Sequence, residues 1–120
     1  MHKKDRISRF RVLPYQSVLK LVVTDDIPKS VKGNHPRISD KTCDCAGMTV
    51  WDDNDLEIYL CRDGLTHGVI THEIFHATHR AMQIAGDTFS EKHHEPYAHI
   101  AGYLADNIYS RLRKWGVRVK

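Results

Sequence analysis

The chain has no apolar run approaching the ~18–20 residues that a bilayer span requires, so membrane association is not expected. Its start, Met1-His2-Lys3-Lys4-Asp5-Arg6, is charged and leads into no apolar segment, so no secretory leader is expected either. Cysteine is scarce. Cys43, Cys45 and Cys61 leave one thiol over in any single-disulfide scheme, which points to a reducing, cytoplasmic setting. Cys43-Asp44-Cys45 with Cys61 also falls short of the spacing of a four-cysteine or two-cysteine, two-histidine zinc site, so free thiols are expected. Internal repeats and low-complexity stretches are absent, which excludes solenoid and fibrous architectures. With 41% hydrophobic and 28% charged residues over 120 positions, the composition is that of one globular domain spanning 1–120. Such a length buries about two thirds of the surface an unfolded chain exposes.

What is present is charge, unevenly placed. The net charge of +3 hides a gradient. Residues 1–11 carry Lys3, Lys4, Arg6, Arg9 and Arg11 against Asp5. The stretch 40–63 carries Asp40, Asp44, Asp52, Asp53, Asp55, Glu57 and Asp63 against Lys41 and Arg62. The tail is basic again, with Arg111, Arg113, Lys114, Arg118 and Lys120. Basic ends suit nucleic acid or an acidic partner. The plainer account is a solvated terminus and a helix C-terminus whose cations complement its dipole, so nucleic acid is not the expected partner.

Residues 1–14 lack strong periodicity and read as a basic, flexible arm ending at Pro14. Ser17 to Thr24 is β-branched and apolar, a strand. Asp25-Asp26 followed by Pro28 starts a short helix or turn through Lys32, and Gly33-Asn34-His35-Pro36 is loop chemistry. Ala46 to Trp51 reads as a second strand, Asp52 to Asp55 as a hairpin turn, and Leu56 to Leu60 as a third strand before Asp63-Gly64. From Thr66, a natural N-cap, the period changes. Ile70, Ile74, Ala77, Ala81 and Ile84 make the stripe of an amphipathic helix, with Gly86 as its stop. A last helix begins near Pro96, carries Ile100, Leu104, Ile108 and Leu112 inward, and ends by Gly116. Strands followed by helices make an α+β pattern: a three-stranded sheet packed on two long helices.

His72-Glu73-Ile74-Phe75-His76 lies on the first long helix. Histidines four apart stand one turn above each other on a single face, roughly opposite the apolar stripe at ~100° per residue. Two neutral imidazoles suit Zn²⁺ with an open position for water, and Glu73 can take that water's proton. A third ligand is required. The metzincin extension would put histidine at position 82, where Met82 stands. His79 shares the face but is displaced ~10 Å along the axis from His72. Glu95, at the start of the next helix, is expected to return over the site through a helix–loop–helix turn as the third ligand, with His93, His94 and His99 in reserve. Gly102, seven residues on from Glu95, suggests close approach of the two helices.

Residues 66–108 resemble the minimal gluzincins: His72-Glu73-x-x-His76, a short loop, then Glu95-x-x-Ala98 leading into Gly102-Tyr103-Leu104. Within that clan the chain is most similar to the small ImmA/IrrE-type peptidases and to short phage-encoded relatives. The resemblance implies a zincin-like fold, a cytosolic zinc peptidase (in the host cytoplasm if phage-encoded), His72, His76 and Glu95 as ligands, and Glu73 as general base. Position 99, often acidic in larger gluzincins, is His99 here, which leaves Tyr97, Tyr103, His99 and His67 as candidates for stabilising the oxyanion. The expected partner is a protein or peptide substrate lying along strand 56–60 as a sheet edge. The alternative is a non-catalytic, zinc-stabilised protein that binds a host protein or nucleic acid; metal-assisted hydrolysis of RNA is a weaker third. Nothing in the sequence fixes an oligomeric state.

Overall fold

Leu19, Leu21, Val22 and Val23 are all fully buried, so the strand holding them is covered on both faces. The computed structural model describes residues 4–35, 46–87, 90–91 and 94–120. In chain order the elements are β1 (Arg6–Arg11), β2 (Val18–Thr24), α1 (Ile27–Asn34), β3 (Gly47–Asp52), β4 (Asp55–Cys61), α2 (His67–Ile84) and α3 (His94–Lys114). Cys43, Cys45, His93 and the acidic residues Asp40 and Asp44 lie outside the described residues.

The sheet has four strands, not the expected three, in the order β1-β2-β4-β3. It is mixed: β1 and β3 run antiparallel to their neighbours, while β2 and β4 pair in parallel. The additional strand is β1, in the segment expected to be a flexible arm. Its two large apolar side chains, Ile7 and Phe10, fall on opposite faces, so no alternating pattern announces it. Pairing with the largely buried β2 supplies the order that local propensity does not. Strand 56–60, expected to be a sheet edge, is instead β4, which lies inside the sheet between β2 and β3, and the sheet edge on that side is β3.

Alternation sorts the side chains into two layers. Leu19, Leu21 and Val23 of β2 join Leu56, Ile58 and Leu60 of β4 in a core closed by Ile70, Ile74, Ala77 and Ala81 of α2 and Ile100, Leu104, Ile108 and Leu112 of α3. On the opposite face Val22 and Tyr59 pack with Ile27 and Val31 of α1. Asp26 caps α1 by accepting from the Lys29 amide at 3.1 Å, with Pro28 in the first turn. Helix α2 starts at the Thr66 cap, whose Oγ1 accepts from the Val69 amide at 3.2 Å. It stops at Gly86, where φ is +82° and the Asp87 amide reaches back to the Met82 carbonyl at 2.8 Å. Gly102 does not mark a close helix approach: a Cβ there would meet nothing within 4 Å, and α3 turns Tyr97, Ile100 and Leu104 inward instead. Among the described residues no helix is long and apolar enough to cross a membrane.

Beneath α1, the Glu57 carboxylate accepts from Tyr59 Oη at 2.5 Å and lies 2.7 Å from His35 Nε2. Burial by itself would raise the Glu57 carboxyl. The bonds from Tyr59 and His35, with the nearby charges of His35 and Lys20, outweigh it and hold the group below its ordinary range. Tyr59 is pushed upward, by burial first and by its bond to Glu57 second. A carboxyl depressed in the folded state adds stability above its unfolded pKa of about 4.3 and loses that contribution as pH falls through the folded value. Glu57→Gln is therefore expected to lower unfolding free energy by about 1–3 kcal/mol at pH near 7. In urea titrations the gap from wild type should close below pH of about 4; a gap that persists unchanged in acid would contradict this account.

Candidate metal centre

With Ile70, Ile74, Ala77 and Ala81 committed to the core, α2 turns His72 and His76 outward, as the 3.6-residue period requires. Their Nε2 atoms are 3.1 Å apart and the ring planes stand 74° to each other. Two imidazole nitrogens bound at 2.0–2.1 Å to one tetrahedral ion are separated by about 3.3 Å. The pair is thus within a few tenths of an ångström of chelating spacing. His79 is exposed on the next turn and stacks on Phe75 at 6.4 Å between ring centres, engaged away from the pair.

Glu73, on the same side of α2, is tucked into the seam between α2 and β3, where it is only 5% exposed. A buried carboxylate needs a hydrogen-bond donor, and the Thr49 hydroxyl is placed to supply one. Its Oγ1 lies 2.7 Å from Glu73 Oε1 and 3.3 Å from the Glu73 carbonyl. Two residues earlier on the same face of β3, a Cβ on Gly47 would fall 2.8 Å from Val69 Cγ1, 2.9 Å from Glu73 Cγ and 3.2 Å from Glu73 Oε2. The strand approaches the helix this closely because position 47 carries no side chain. Trp51, next on that face, is 50% exposed, and the Arg80 guanidinium lies 5.5 Å from its ring centre.

Between β3 and α2 opens a cleft of about 690 Å³, lined among others by Gly47, Thr49, Trp51, His72, Glu73 and His76. It brings together two imidazoles, one carboxylate and an exposed strand edge. Glu95 is exposed in the first turn of α3. That turn is anchored beside the motif, since Tyr97 Oη donates to the Phe75 carbonyl at 3.2 Å and the two rings lie 5.7 Å apart. Among the described residues, however, no three His, Cys, Asp or Glu side chains are gathered as an ion-binding set. Chain geometry therefore assembles His72 and His76 and leaves Glu95 on the neighbouring helix, outside a closed triad.

The residues considered for an oxyanion partner are distributed widely. Tyr103 donates to the Arg11 carbonyl at 2.8 Å, and His67 Nδ1 lies 2.6 Å from Tyr109 Oη, so both are engaged elsewhere. His94 and His99 are exposed on α3. The cleft also holds Gly47, Thr49 and Trp51, which sequence reasoning misses as site residues. A signal for them exists: they occupy alternate positions of an expected strand and so share one face. What the sequence does not carry is the packing of that face on α2. No known protein family, curated protein or solved structure matches this chain.

Thr49→Val keeps the shape and removes the hydroxyl, leaving a buried carboxylate oxygen without its donor. It is expected to cost about 1–3 kcal/mol at neutral pH, while Thr49→Ser, which retains the donor, should lose less than about 1 kcal/mol. Gly47→Ala should cost about 1–3 kcal/mol through overpacking against Val69 and Glu73. Equilibrium unfolding of the three variants checks this, and a Thr49→Val protein as stable as wild type would show that the hydroxyl contributes nothing.

Proposed function

We propose that this protein is a zinc-dependent hydrolase of the gluzincin type, acting as a metallopeptidase on an extended protein or peptide segment. The observation that carries the reading is the pair of Nε2 atoms at 3.1 Å, in one cleft with a buried carboxylate from the intervening position. His72 and His76 would hold the ion through those nitrogens, with Glu95 as the third ligand once the first turn of α3 closes toward them. Zinc, when bound, acidifies a coordinated water and polarises a carbonyl. Glu73 would accept the proton at Oε2, the oxygen that Thr49 does not engage, while the bond to Oε1 fixes the plane of the carboxylate. Among the described residues β3 is the sheet edge on the side of the cleft, so an extended peptide would align there rather than on β4. The half-exposed Trp51 indole gives that track an apolar contact.

One observation favours a second reading. Among the described residues no third donor stands beside the two histidines, which suits a binding protein that performs no hydrolysis; a stabilising zinc in it would need further ligands, since structural sites are closed by four. Metal content and cleavage separate the two. The purified protein should contain about one zinc per chain, Glu73→Gln should retain it while losing hydrolysis of an unstructured protein, and His76→Ala and Glu95→Ala should lose the metal. Zinc retained by the Glu95→Ala protein, or cleavage by the Glu73→Gln protein equal to wild type, would overturn the catalytic assignment.

A further inference from the structure

The two basic ends of the chain, far apart in sequence, meet on one edge of the fold. From α3, Arg111 Nε donates to Ser8 Oγ at 2.7 Å, and its guanidinium lies 4.3 Å from the centre of the Phe10 ring. Tyr103 fastens the same helix to the end of β1 through the Arg11 carbonyl. Past the helix, Trp115 and Arg118 line a groove of about 720 Å³ together with Lys4 and Arg6. Residues 4–11 and 111–120 hold nine of the eighteen Lys and Arg residues against one carboxylate, Asp5; the rest of the chain has nine against fourteen. Folding therefore converts a chain of small net charge into a molecule with one strongly positive edge.

These cations are available. Arg6, Arg9, Arg11, Arg113, Lys114, Arg118 and Lys120 are exposed, and among the described residues none forms an ion pair with a carboxylate. Arg62, by contrast, is paired with Asp25, and Arg111 is held by Ser8 and Asn107. Asp63 lines the groove as well, and Asp5, which also does, accepts from Ser30 Oγ at 2.8 Å. They lower the positive potential without cancelling it. Because β1 is an outer strand, its alternation puts Arg6 toward the helix side and Arg9 and Arg11 on the opposite face, so the edge is cationic from both sides.

We infer that this edge, β1 with the end of α3, binds nucleic acid through its phosphate backbone. Arginine dominates the set, and its planar fork matches phosphate oxygens in a two-point contact. The partly buried Trp115 ring beside Lys4, Arg6 and Arg118 offers a face on which a base can stack. An acidic protein partner would need apolar anchors at the centre of its contact, and on β1 the large exposed apolar side chain is Ile7 alone. The surface lies at the opposite edge of the sheet from the β3 cleft, so the inference is independent of the metal assignment.

Fluorescence anisotropy with the intact protein tests it, using a labelled single strand of about 20 nucleotides, a duplex of similar length, and a labelled polyglutamate peptide for the protein alternative. Binding is expected to both nucleic acids at low salt, with log K falling against log salt at a slope of about −2 or steeper, since each phosphate contact contributes ~0.7–0.9. The triple variant Arg9→Glu, Arg11→Glu, Arg118→Glu should lose about tenfold or more in affinity, while lysine at the same three positions keeps binding within a few-fold. Lys114→Glu alone, which leaves β1 untouched, should weaken binding about twofold or more. Far-UV circular dichroism melts establish that each variant is folded. Absence of binding at low salt, unchanged affinity in the folded glutamate variants, or equal affinity for polyglutamate would each overturn the proposal.

Discussion

Everything around the cleft follows from how closely β3 lies against α2 at Gly47 and Glu73. A carboxylate taken out of water is unfavourable unless donors replace the lost hydration, and here the Thr49 hydroxyl donates from the strand while the glycine lets the strand come near enough to do so. The bond crosses between two elements, so the same atoms fix the helix–sheet separation and the orientation of Glu73. His72 and His76 stand outside the seam because the carboxylate between them in sequence is held inside it. Rotation of α2 about its axis would expose Glu73 and bury a histidine at once.

The remainder of the architecture supports this seam. The parallel β2 and β4 strands are covered on both faces and give the sheet a rigid centre. With α1 on one face and α2 and α3 on the other, the strand edges and the helix surfaces remain for interaction. The two edges differ chemically. At β3 lie an indole, a glycine and a hydroxyl beside two imidazoles, a setting for close contact with an extended chain. At β1 lie exposed guanidinium groups, a setting for diffuse attraction of a polyanion.

Elements whose side chains repeat with one period are legible in the amino-acid order alone. The stripe Ile70, Ile74, Ala77, Ala81 and the capping pair Thr66 and Gly86 define α2 almost to the residue, because both depend on spacing within the chain. The outward placement of His72 and His76 follows from the same spacing. Strand β1 is not legible in this way: Ile7 and Phe10 point to opposite faces, and its order is borrowed from β2. Nor is the edge position of β3, which depends on how β4 returns to pair with β2 across the α1 crossover. Thr49 meets Glu73 across 24 positions, a contact that no local pattern encodes. Gly102 misleads for the converse reason: glycine in a helix is compatible with close packing, but here it faces open space.

The arginines of β1 have one more consequence. An unpaired outer strand is a template on which a second copy of the chain can add its own strand, the first step toward ordered aggregates. Two such strands would sit only about 4.8 Å apart, bringing Arg6, Arg9 and Arg11 of each copy against those of the other. Repulsion at that distance is greatest in a parallel, in-register pairing, which sets each arginine beside its own copy. The charge that would attract a polyanion to this edge would thus also work against the addition of a second copy there.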